Sequence, residues 1–311
     1  MKLMRPPDST THKVRFVHAV VIHETGGPEV LRYEEVPDPE PGEGELLVRI
    51  EAAGVNHYDI NLRAMTASDF PLILGSDGGG VRQDSGERVL VTRASGTYAE
   101  LVAVTEDKLW SIPDSVSASS AAALGVPYTT AWWALVDLGE LKEGDTLLVQ
   151  AGSSGTGQAS IDIGRAFGAT VYATASESKL DRLRELGVEP LAYDDPNLSE
   201  LGADVVFDPV GGEVFARSVE ALGQGGRLLI PGAVDSPEVS LNLWSLVGKQ
   251  ARIIGLGNTP APRETLDRII EMTGNGELSP VIDRELPLEQ AAEGHRAIEA
   301  RETFGKVILR P

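Results

Sequence analysis

Residues 145–179, DTLLVQAGSSGTGQASIDIGRAFGATVYATASESK, contain the pattern that decides the fold. The run 146–150 is rich in Leu and Val and is bounded by turn residues, which predicts a strand buried on both faces. The small-residue turn AGSSGTG follows, and then a helix from Gln158 that Gly168 ends. A second apolar run, 170–173, predicts another strand. This order of strand, glycine turn, helix and strand is the setting in which a glycine-rich turn binds a dinucleotide.

The glycine-rich turn supplies candidate cofactor residues. Glycines let the backbone approach a pyrophosphate, hydroxyl groups add donors, and the free N–H groups of the following helix face the anion. The spacing departs from the usual GxGxxG pattern, because Ser154 stands where a glycine is expected. A small-residue turn in an ordinary α/β protein is the alternative. The candidate pyrophosphate residues are Gly152, Ser153, Ser154, Gly155, Thr156 and Gly157.

The end of the second strand indicates which dinucleotide binds. An Asp or Glu at this position usually binds the ribose 2′-hydroxyl of NAD, whereas this chain has Ala175 and Ser176. Lys179 follows and could pair with a 2′-phosphate, with Ser176 as a hydrogen-bond donor, so we favour NADPH. Glu177 would repel that phosphate unless its side chain points away. The alternative for Lys179 is a solvated lysine in the first turn of the next helix.

Length and composition bound the class of protein. The chain has 311 residues and 41% hydrophobic content, which suggests two domains. It has no cysteine, which excludes disulfides, thiolate metal sites and a cysteine nucleophile, and which fits a cytoplasmic protein. We find no apolar run of membrane-spanning length and no apolar core of a signal peptide. Residues 1–16 are expected to form a flexible basic arm.

The charge balance limits the partners. A net charge of −20 and a pI of about 4.6 argue against nucleic acid or an anionic membrane surface as the main partner. An acidic surface poor in lysine suits a cytoplasm of high salt, where counter-ions screen the repulsion. An ordinary acidic enzyme from a mesophile is the alternative.

The rest of the chain divides into two patterns. Residues 19–110 contain short apolar runs punctuated by Gly and Pro, which predict a small antiparallel barrel, and the segment after Ser117 turns helical. Between residues 145 and 257 strands alternate with helices, which predicts a doubly wound parallel sheet. Ligands of such sheets lie at the carboxyl ends of the strands. The final strand is predicted to return to the first domain. Three strand ends, 208–212, 231–233 and 255–257, are candidate cofactor walls.

Five segments resemble the medium-chain dehydrogenase/reductase superfamily, in its zinc-free quinone oxidoreductase branch of zeta-crystallin-like proteins. They are VVIHETGGPEVLRYEEVPDPEPGEGELLVRIEAAGVNHYD, LGSDGGGV, AAALGVPYTTAWWALVDLG, VQAGSSGTGQASIDIGRAFGATVYATASESK and FGKVILRP. The resemblance covers nearly the whole chain from His18 onwards. It implies an α/β protein with a GroES-like β-barrel catalytic domain, residues 17–135 and 266–311, plus a Rossmann-like doubly wound parallel-sheet NADPH-binding domain, residues 136–265. It also implies an active site in the cleft between them and a homodimer.

The resemblance also implies roles for single residues. Asn56 and Asp59 match the branch's N-x-x-D near the nicotinamide and the substrate, and Arg63 follows at the expected offset. A hydrogen-bonded cluster that braces a loop is the alternative for these three residues. The implied cofactor residues are Thr130, Pro231 and Gly232 beside the nicotinamide, Ser153, Gly155 and Thr156 at the pyrophosphate, and Ser176, Lys179 and Tyr193 at the 2′-phosphate.

Besides Ser154 in the glycine turn, two features depart from relatives of this kind. Asn61 stands where many members carry an aromatic hydroxyl, and the loop after Val81 is short, so the substrate can differ. Zinc members use a Cys where Asn56 stands and Gly-His-Glu where this chain has residues 75–77, so no catalytic metal is expected. His57 lacks partners at metal-ligand spacing.

The expected chemistry follows from the missing metal. Without a Lewis acid, oxidation of a simple alcohol is difficult. A quinone or an α,β-unsaturated ketone spreads the developing negative charge onto its own oxygen, so the protein needs only to position the nicotinamide and offer a donor. Asn56 and Arg63 are the predicted positioning or donor groups, with water as the source of the proton. An enoyl-thioester reductase and a non-catalytic NADPH-binding protein are the alternatives.

Overall fold

A computed structural model describes residues 15–65, 70–257 and 261–311. The predicted arm, residues 1–16, lies outside the described residues except at its end, where Phe16 already begins the first strand. No helix in the described part of the chain is long and apolar enough to cross a membrane.

Strands and helices occupy most of the described residues. The strands are β1 Phe16–Ile22, β2 Arg32–Pro37, β3 Glu45–Gly54, β4 Leu72–Ile73, β5 Asp77–Arg82, β6 Arg88–Val91, β7 Leu101–Thr105, β8 Leu109–Ser111, β9 Thr146–Val149, β10 Thr170–Ala175, β11 Glu189–Ala192, β12 Ala203–Phe207, β13 Leu222–Ile230, β14 Arg252–Gly255, β15 Ile282–Pro287 and β16 Lys306–Arg310. The α-helices are α1 His57–Met65, α2 Ala118–Trp132, α3 Gly155–Ala166, α4 Leu180–Glu185, α5 Gly212–Ala221, α6 Leu243–Lys249, α7 Arg263–Gly274 and α8 Ala291–Glu299.

The barrel region is built mainly from antiparallel pairs, as the short punctuated strands predict, and its one recorded parallel pair among the described residues joins β15 to β16. Strands β2, β1 and β4 form a three-stranded sheet, and β3 pairs with both β5 and β7 in a larger one. The last strand, β16, returns to this region and pairs with β3 and β15. The loop after β5 is short, because β6 begins at Arg88. Apolar side chains that alternate along the strands, such as Val48 and Ile50, form the barrel core.

The second sheet has six parallel strands in the order β11-β10-β9-β12-β13-β14. Its central strand, β9, is fully buried at Leu147, Leu148 and Val149, which explains its unbroken apolar run. The chain leaves β9 first towards β10 and β11 and later towards β12, so the strand order reverses beside β9. Ligands bind outside the carboxyl ends of strands at such a point. The α/β architecture of a GroES-like barrel and a Rossmann-like sheet is therefore confirmed.

Helix α2 joins the two regions at close range. A Cβ at Gly54 would lie 2.1 Å from the carbonyl oxygen of Ala122, and a Cβ at Gly79 would lie 2.2 Å from that of Ala118. Only small residues allow this approach of the helix to β3 and β5. The same helix contributes Leu124 to the core beneath the six-stranded sheet, so it fixes the barrel against that sheet.

Candidate active site

The glycine turn leads into α3 earlier than expected. The helix begins at Gly155 rather than Gln158, because the Ser154 hydroxyl accepts a hydrogen bond of 3.0 Å from Gly157 N and caps the helix. Two of the glycines are required by packing. A Cβ at Gly157 would lie 2.2 Å from Ala151 O, and one at Gly152 would lie 2.8 Å from the Cβ of Ala173.

Gly155 is different, because the fold does not require a glycine there. A Cβ at Gly155 would meet its nearest atoms, Lys306 Cδ and Pro127 Cγ, at 3.8 and 3.9 Å, which is ordinary contact. The same holds for Gly232 after β13 and for Gly255 at the end of β14, where a Cβ would meet nothing within 4 Å. All three lie at or beyond carboxyl ends of the parallel strands. A ligand that lies close to the backbone gives a reason for their missing side chains, so this edge fits a dinucleotide.

Buried side chains hold the glycine turn from below. The Thr174 hydroxyl donates to Gln150 Oε1 and accepts from Ala151 N at 3.3 Å, which supports Ala151 in a left-handed conformation with φ of 53°. Gln150 Nε2 donates to Ser218 Oγ at 3.1 Å, and Ser218 donates to Asp208 at 2.8 Å. This chain of contacts connects the turn with the strand end 208–212, one of the predicted cofactor walls.

Lys179 lies near the turn and is not a solvated lysine. Its ammonium donates to the carbonyl oxygens of Arg301 at 2.6 Å and Thr303 at 2.8 Å, and it lies 3.4 Å from Ser153 Oγ. Burial is the main cause that lowers its pKa. The segment 301–306 therefore crosses the turn, and Gly305 N donates to Ser153 O at 2.9 Å.

The other residues predicted at the 2′-phosphate lie at the ends of neighbouring strands. Ser176 is exposed, and its hydroxyl lies 3.4 Å from that of Ser178. Tyr193 is half-buried, and burial raises the pKa of its phenol although the positive charge of Arg301 acts in the opposite direction. Arg301, which sequence reasoning missed, thus adds a cation near Tyr193. The sequence does not predict the left-handed φ of 57° that Arg301 adopts.

The residues predicted beside the nicotinamide lie on two different elements. Thr130 is half-buried in the last turn of α2, and Pro231 and Gly232 follow the carboxyl end of β13. The structure records no side-chain hydrogen bond for Thr130 among the described residues, so its hydroxyl is not committed to the fold.

On the barrel side, Asp59 is a fully buried acceptor on α1. Its carboxylate accepts from Asn56 N at 2.8 Å, from the Ser76 hydroxyl at 3.1 Å and from the Tyr98 hydroxyl at 3.3 Å. Burial is the largest effect and raises the pKa of Asp59 to about 7, with Asp77 acting in the same direction. Asp59 thus organises the loop that carries Asn56.

Arg63 braces α1 against other parts of the barrel. The side chain is 2% exposed, Nε donates to Gly26 O at 3.0 Å, and the guanidinium also contacts His295 Nδ1 at 3.2 Å and Glu299. These contacts match the bracing cluster that was the alternative to a role in positioning the acceptor.

His295 extends this cluster to Asp59. Because Arg63 can only donate, His295 Nδ1 must accept, so Nε2 carries the hydrogen and donates to the Tyr98 oxygen at 3.2 Å. Tyr98 then donates to Asp59. Burial, followed by the charge of Arg63, lowers the pKa of His295 to about 3, so the imidazole is neutral. Sequence reasoning missed both Tyr98 and His295.

Asn56 lies between two charged groups. Its Nδ2 donates to Asp77 Oδ2 at 2.8 Å and to Ser76 Oγ at 3.1 Å, and its Oδ1 accepts from the ammonium of Lys306. Lys306 was also missed as a site residue. The sequence offers one indication: the lysine of FGKVILRP comes immediately before three apolar residues, and all four are buried in β16.

This arrangement does not fit a zinc ion. The positions that hold zinc ligands in the related enzymes carry an amide, a hydroxyl and a carboxylate, and an ammonium lies directly against the amide oxygen. Among the described residues, no group of three or more His, Asp or Glu is placed to hold a metal. His57 opens α1 half-buried, and burial lowers its pKa.

The known proteins that this chain resembles agree with its fold. Residues 42–114 match the alcohol dehydrogenase GroES-like domain family, and residues 188–309 match the zinc-binding dehydrogenase family. The quinone oxidoreductase of Mus musculus is 28% identical over 95% of this chain and 98% of its own length.

Two solved structures are similar over almost the whole fold. One, described as an NAD-dependent alcohol dehydrogenase, is 36% identical with a TM-score of 0.88, and the match covers 94% of this chain and 99% of that one. The other, a mycobacterial protein in complex with NADPH, is 28% identical with a TM-score of 0.86, and the match covers 95% of this chain and all of that one.

The chain belongs to the medium-chain dehydrogenase/reductase superfamily, a family of oxidoreductases that bind a nicotinamide dinucleotide. Its curated relatives place it in the quinone oxidoreductase branch, which confirms the resemblance drawn from the sequence.

Proposed function

We propose that this protein is an NADPH-dependent, zinc-independent oxidoreductase that transfers a hydride to a quinone or an α,β-unsaturated carbonyl compound. One observation carries the proposal. The Lys306 side chain lies beside Gly155, at the start of α3, where a Cβ would be in ordinary contact with it. Its ammonium contacts Asn56 in the buried polar cluster of the barrel. The cofactor turn and the acceptor side therefore meet at one point.

The residues of the six-stranded sheet would hold the cofactor. The first N–H groups of α3 and the open Gly155 suit the pyrophosphate. Pro231, Gly232 and Thr130 would border the nicotinamide. Bound NADPH would supply the hydride. The protein would orient the acceptor, exclude water and provide the hydrogen-bond donor.

Several observations favour NADPH over NADH. No acidic residue ends β10, where Ala175 and Ser176 stand, and Lys179 and Arg301 supply positive charge nearby. A similar structure contains NADPH, whereas another is described as NAD-dependent, so the choice needs a direct test.

The cofactor test compares the wild type with Lys179→Ala. We expect a wild-type preference for NADPH in Michaelis constants, and a loss of about 1.5–3 kcal/mol of that preference in the variant, as for a hydrogen bond to a charged group. Lys142→Ala, an exposed lysine, is the matched control. A native preference for NADH would refute the assignment.

The substrate test measures NADPH oxidation with quinones, enones, enals and an enoyl thioester. With simple alcohols it measures the reverse reaction, the reduction of NADP+. Each assay is run with and without a chelator. We expect turnover with quinones or activated alkenes, unaffected by chelation. Activity that a chelator abolishes and zinc restores would overturn the mechanism. Turnover of the enoyl thioester alone favours the thioester reductase, and cofactor binding without turnover favours the non-catalytic alternative.

The cysteine-free composition supports a cytoplasmic location as part of the proposal.

A further inference from the structure

The side-chain amide of Asn56 has no hydrogen left for a substrate. Its Nδ2 carries two hydrogens, and these donate to Asp77 and Ser76 at 2.8 and 3.1 Å. Both partners are almost completely buried, so breaking either contact would leave an unpaired group away from water. Asn56 therefore cannot act as the donor expected from the sequence without a large penalty.

The Lys306 ammonium does have hydrogens to spare. Its Nζ carries three, and within the described part of the chain Asn56 Oδ1 is the acceptor recorded at hydrogen-bond distance. Among the described residues, no ion pair of Lys306 with a carboxylate is recorded, although the charges of Asp77 and Asp59 both act on its ammonium. Lys306 is 4% exposed, so its charge is little screened by water.

The path of the Lys306 side chain is fixed by glycines. A Cβ at Gly54 would lie 2.8 Å from Lys306 Cε, so the absent side chain makes room for the lysine stem. The same stem lies 3.8 Å from the Cβ position of Gly155. The ammonium is thus held between the cofactor turn and the acceptor side of the cleft, with Asn56 Oδ1 fixing its direction.

We propose that Lys306 is the catalytic donor to the acceptor oxygen and that Asn56 is a positioning residue that orients its ammonium. The inference rests on the proposed function and replaces the donor role expected of Asn56. Bound NADPH would supply the hydride and be oxidised to NADP+. As the acceptor carbon gains the hydride and forms a C–H bond, a π electron pair of the acceptor moves onto its oxygen. An N–H of Lys306 first donates a hydrogen bond to that oxygen. The N–H bond then breaks as the O–H bond forms, and a proton from the bulk solvent restores the ammonium after the product leaves.

An ammonium suits this task better than an amide. A charge-assisted hydrogen bond is roughly twice as strong as a neutral one, and a fixed donor in a site without water stabilises the developing charge most. Burial also lowers the pKa of Lys306, which favours release of its proton.

The test compares Lys306→Met, which keeps the length and removes the charge and donors, with Lys306→Arg, which keeps both. Steady-state kinetics with a quinone give kcat and KM, and a fluorescence titration with NADPH gives the dissociation constant separately. We expect Lys306→Met to lower kcat about 100-fold, the usual effect of losing one oxyanion donor, with less than about a threefold change in the NADPH constant. Lys306→Arg should retain more activity than Lys306→Met. Asn56→Ala should lower kcat less than Lys306→Met, and Lys142→Met, an exposed lysine, is the control.

The outcomes separate this inference from the proposed function. An active wild type with an equally active Lys306→Met overturns the inference alone. Weakened NADPH binding with unchanged kcat at saturation also overturns it, because Lys306 would then be a cofactor anchor. If Lys306→Met does not fold, as thermal melting will show, Lys306→Arg decides. Arginine keeps the charge and the hydrogen bond but does not release its proton. A lowered kcat with an unchanged NADPH constant in the folded variant therefore supports the proposal, and a kcat equal to that of the wild type refutes it. A wild type inactive with every acceptor refutes the proposed function and this inference with it.

Discussion

Replacement of Arg63 by Met should destabilise the protein strongly and leave catalysis by the folded fraction nearly unchanged. The methionine keeps the apolar stem but leaves Gly26 O and His295 Nδ1 without their donor in the interior. Each such loss costs about 1–3 kcal/mol. Glu299, which is 34% exposed, can be solvated again, so its lost ion pair adds only about 1 kcal/mol or less. The expected fall in the free energy of unfolding is about 3–5 kcal/mol.

The measurement is urea unfolding followed by tryptophan fluorescence, with kcat determined in parallel. Arg49→Met is the matched control, because Arg49 pairs with Glu51 at 3.0 Å while 55% exposed, and its loss should cost less than about 1 kcal/mol. If Arg63→Met unfolds like the wild type but loses turnover, Arg63 acts on the acceptor and the bracing role is wrong.

Three further expectations concern pH, assembly and salt. The pKa of His295 falls from 6.5 to about 3, so unfolded chains bind the extra proton and stability decreases as pH drops through this window. The pKa of Asp59 rises from 3.8 to about 7, so the contribution of Asp59 to stability increases on acidification. Because His295→Gln removes only the effect of His295, this variant should gain stability relative to the wild type between pH 7 and pH 5 in urea titrations. We also propose a homodimer through the outer edge of β14, which has no partner strand within the described residues, and through the exposed apolar face of α6, where Trp244 is 78% exposed. Light scattering should give twice 33.1 kDa for the wild type and less for Trp244→Lys. A wild-type monomer at micromolar concentration would contradict this proposal. Thermal midpoints should rise from low salt to molar KCl because the net charge is −20, and a flat response would favour an ordinary acidic enzyme.

The architecture was predictable because its causes are local. Apolar runs and glycine turns over 145–179 specify strands and a helix within a few residues of one another. The start of α3 was predicted three residues late because glycines count against a helix, whereas the cap formed by Ser154 outweighs that preference.

The charged contacts of the site were less predictable because they join distant residues. Lys179 meets the carbonyl of Thr303, 124 positions away, and Arg63 meets His295, 232 positions away. Local patterns contain no information about such pairings. Family resemblance located Asn56 and Lys179 but did not reveal which hydrogens they have available.

The contact between Asn56 and Lys306 spans 250 positions, and this separation constrains how the protein becomes active during its synthesis. The ribosome completes the glycine turn, the six-stranded sheet and almost all of the barrel before it adds Lys306. Until β16 inserts beside β3, no earlier part of the chain can supply the ammonium between the two regions. Contacts of such length also slow folding, because the loop must close before the contact stabilises it. A nascent chain would therefore acquire its fold in stages, and its catalytic centre only at the last of them.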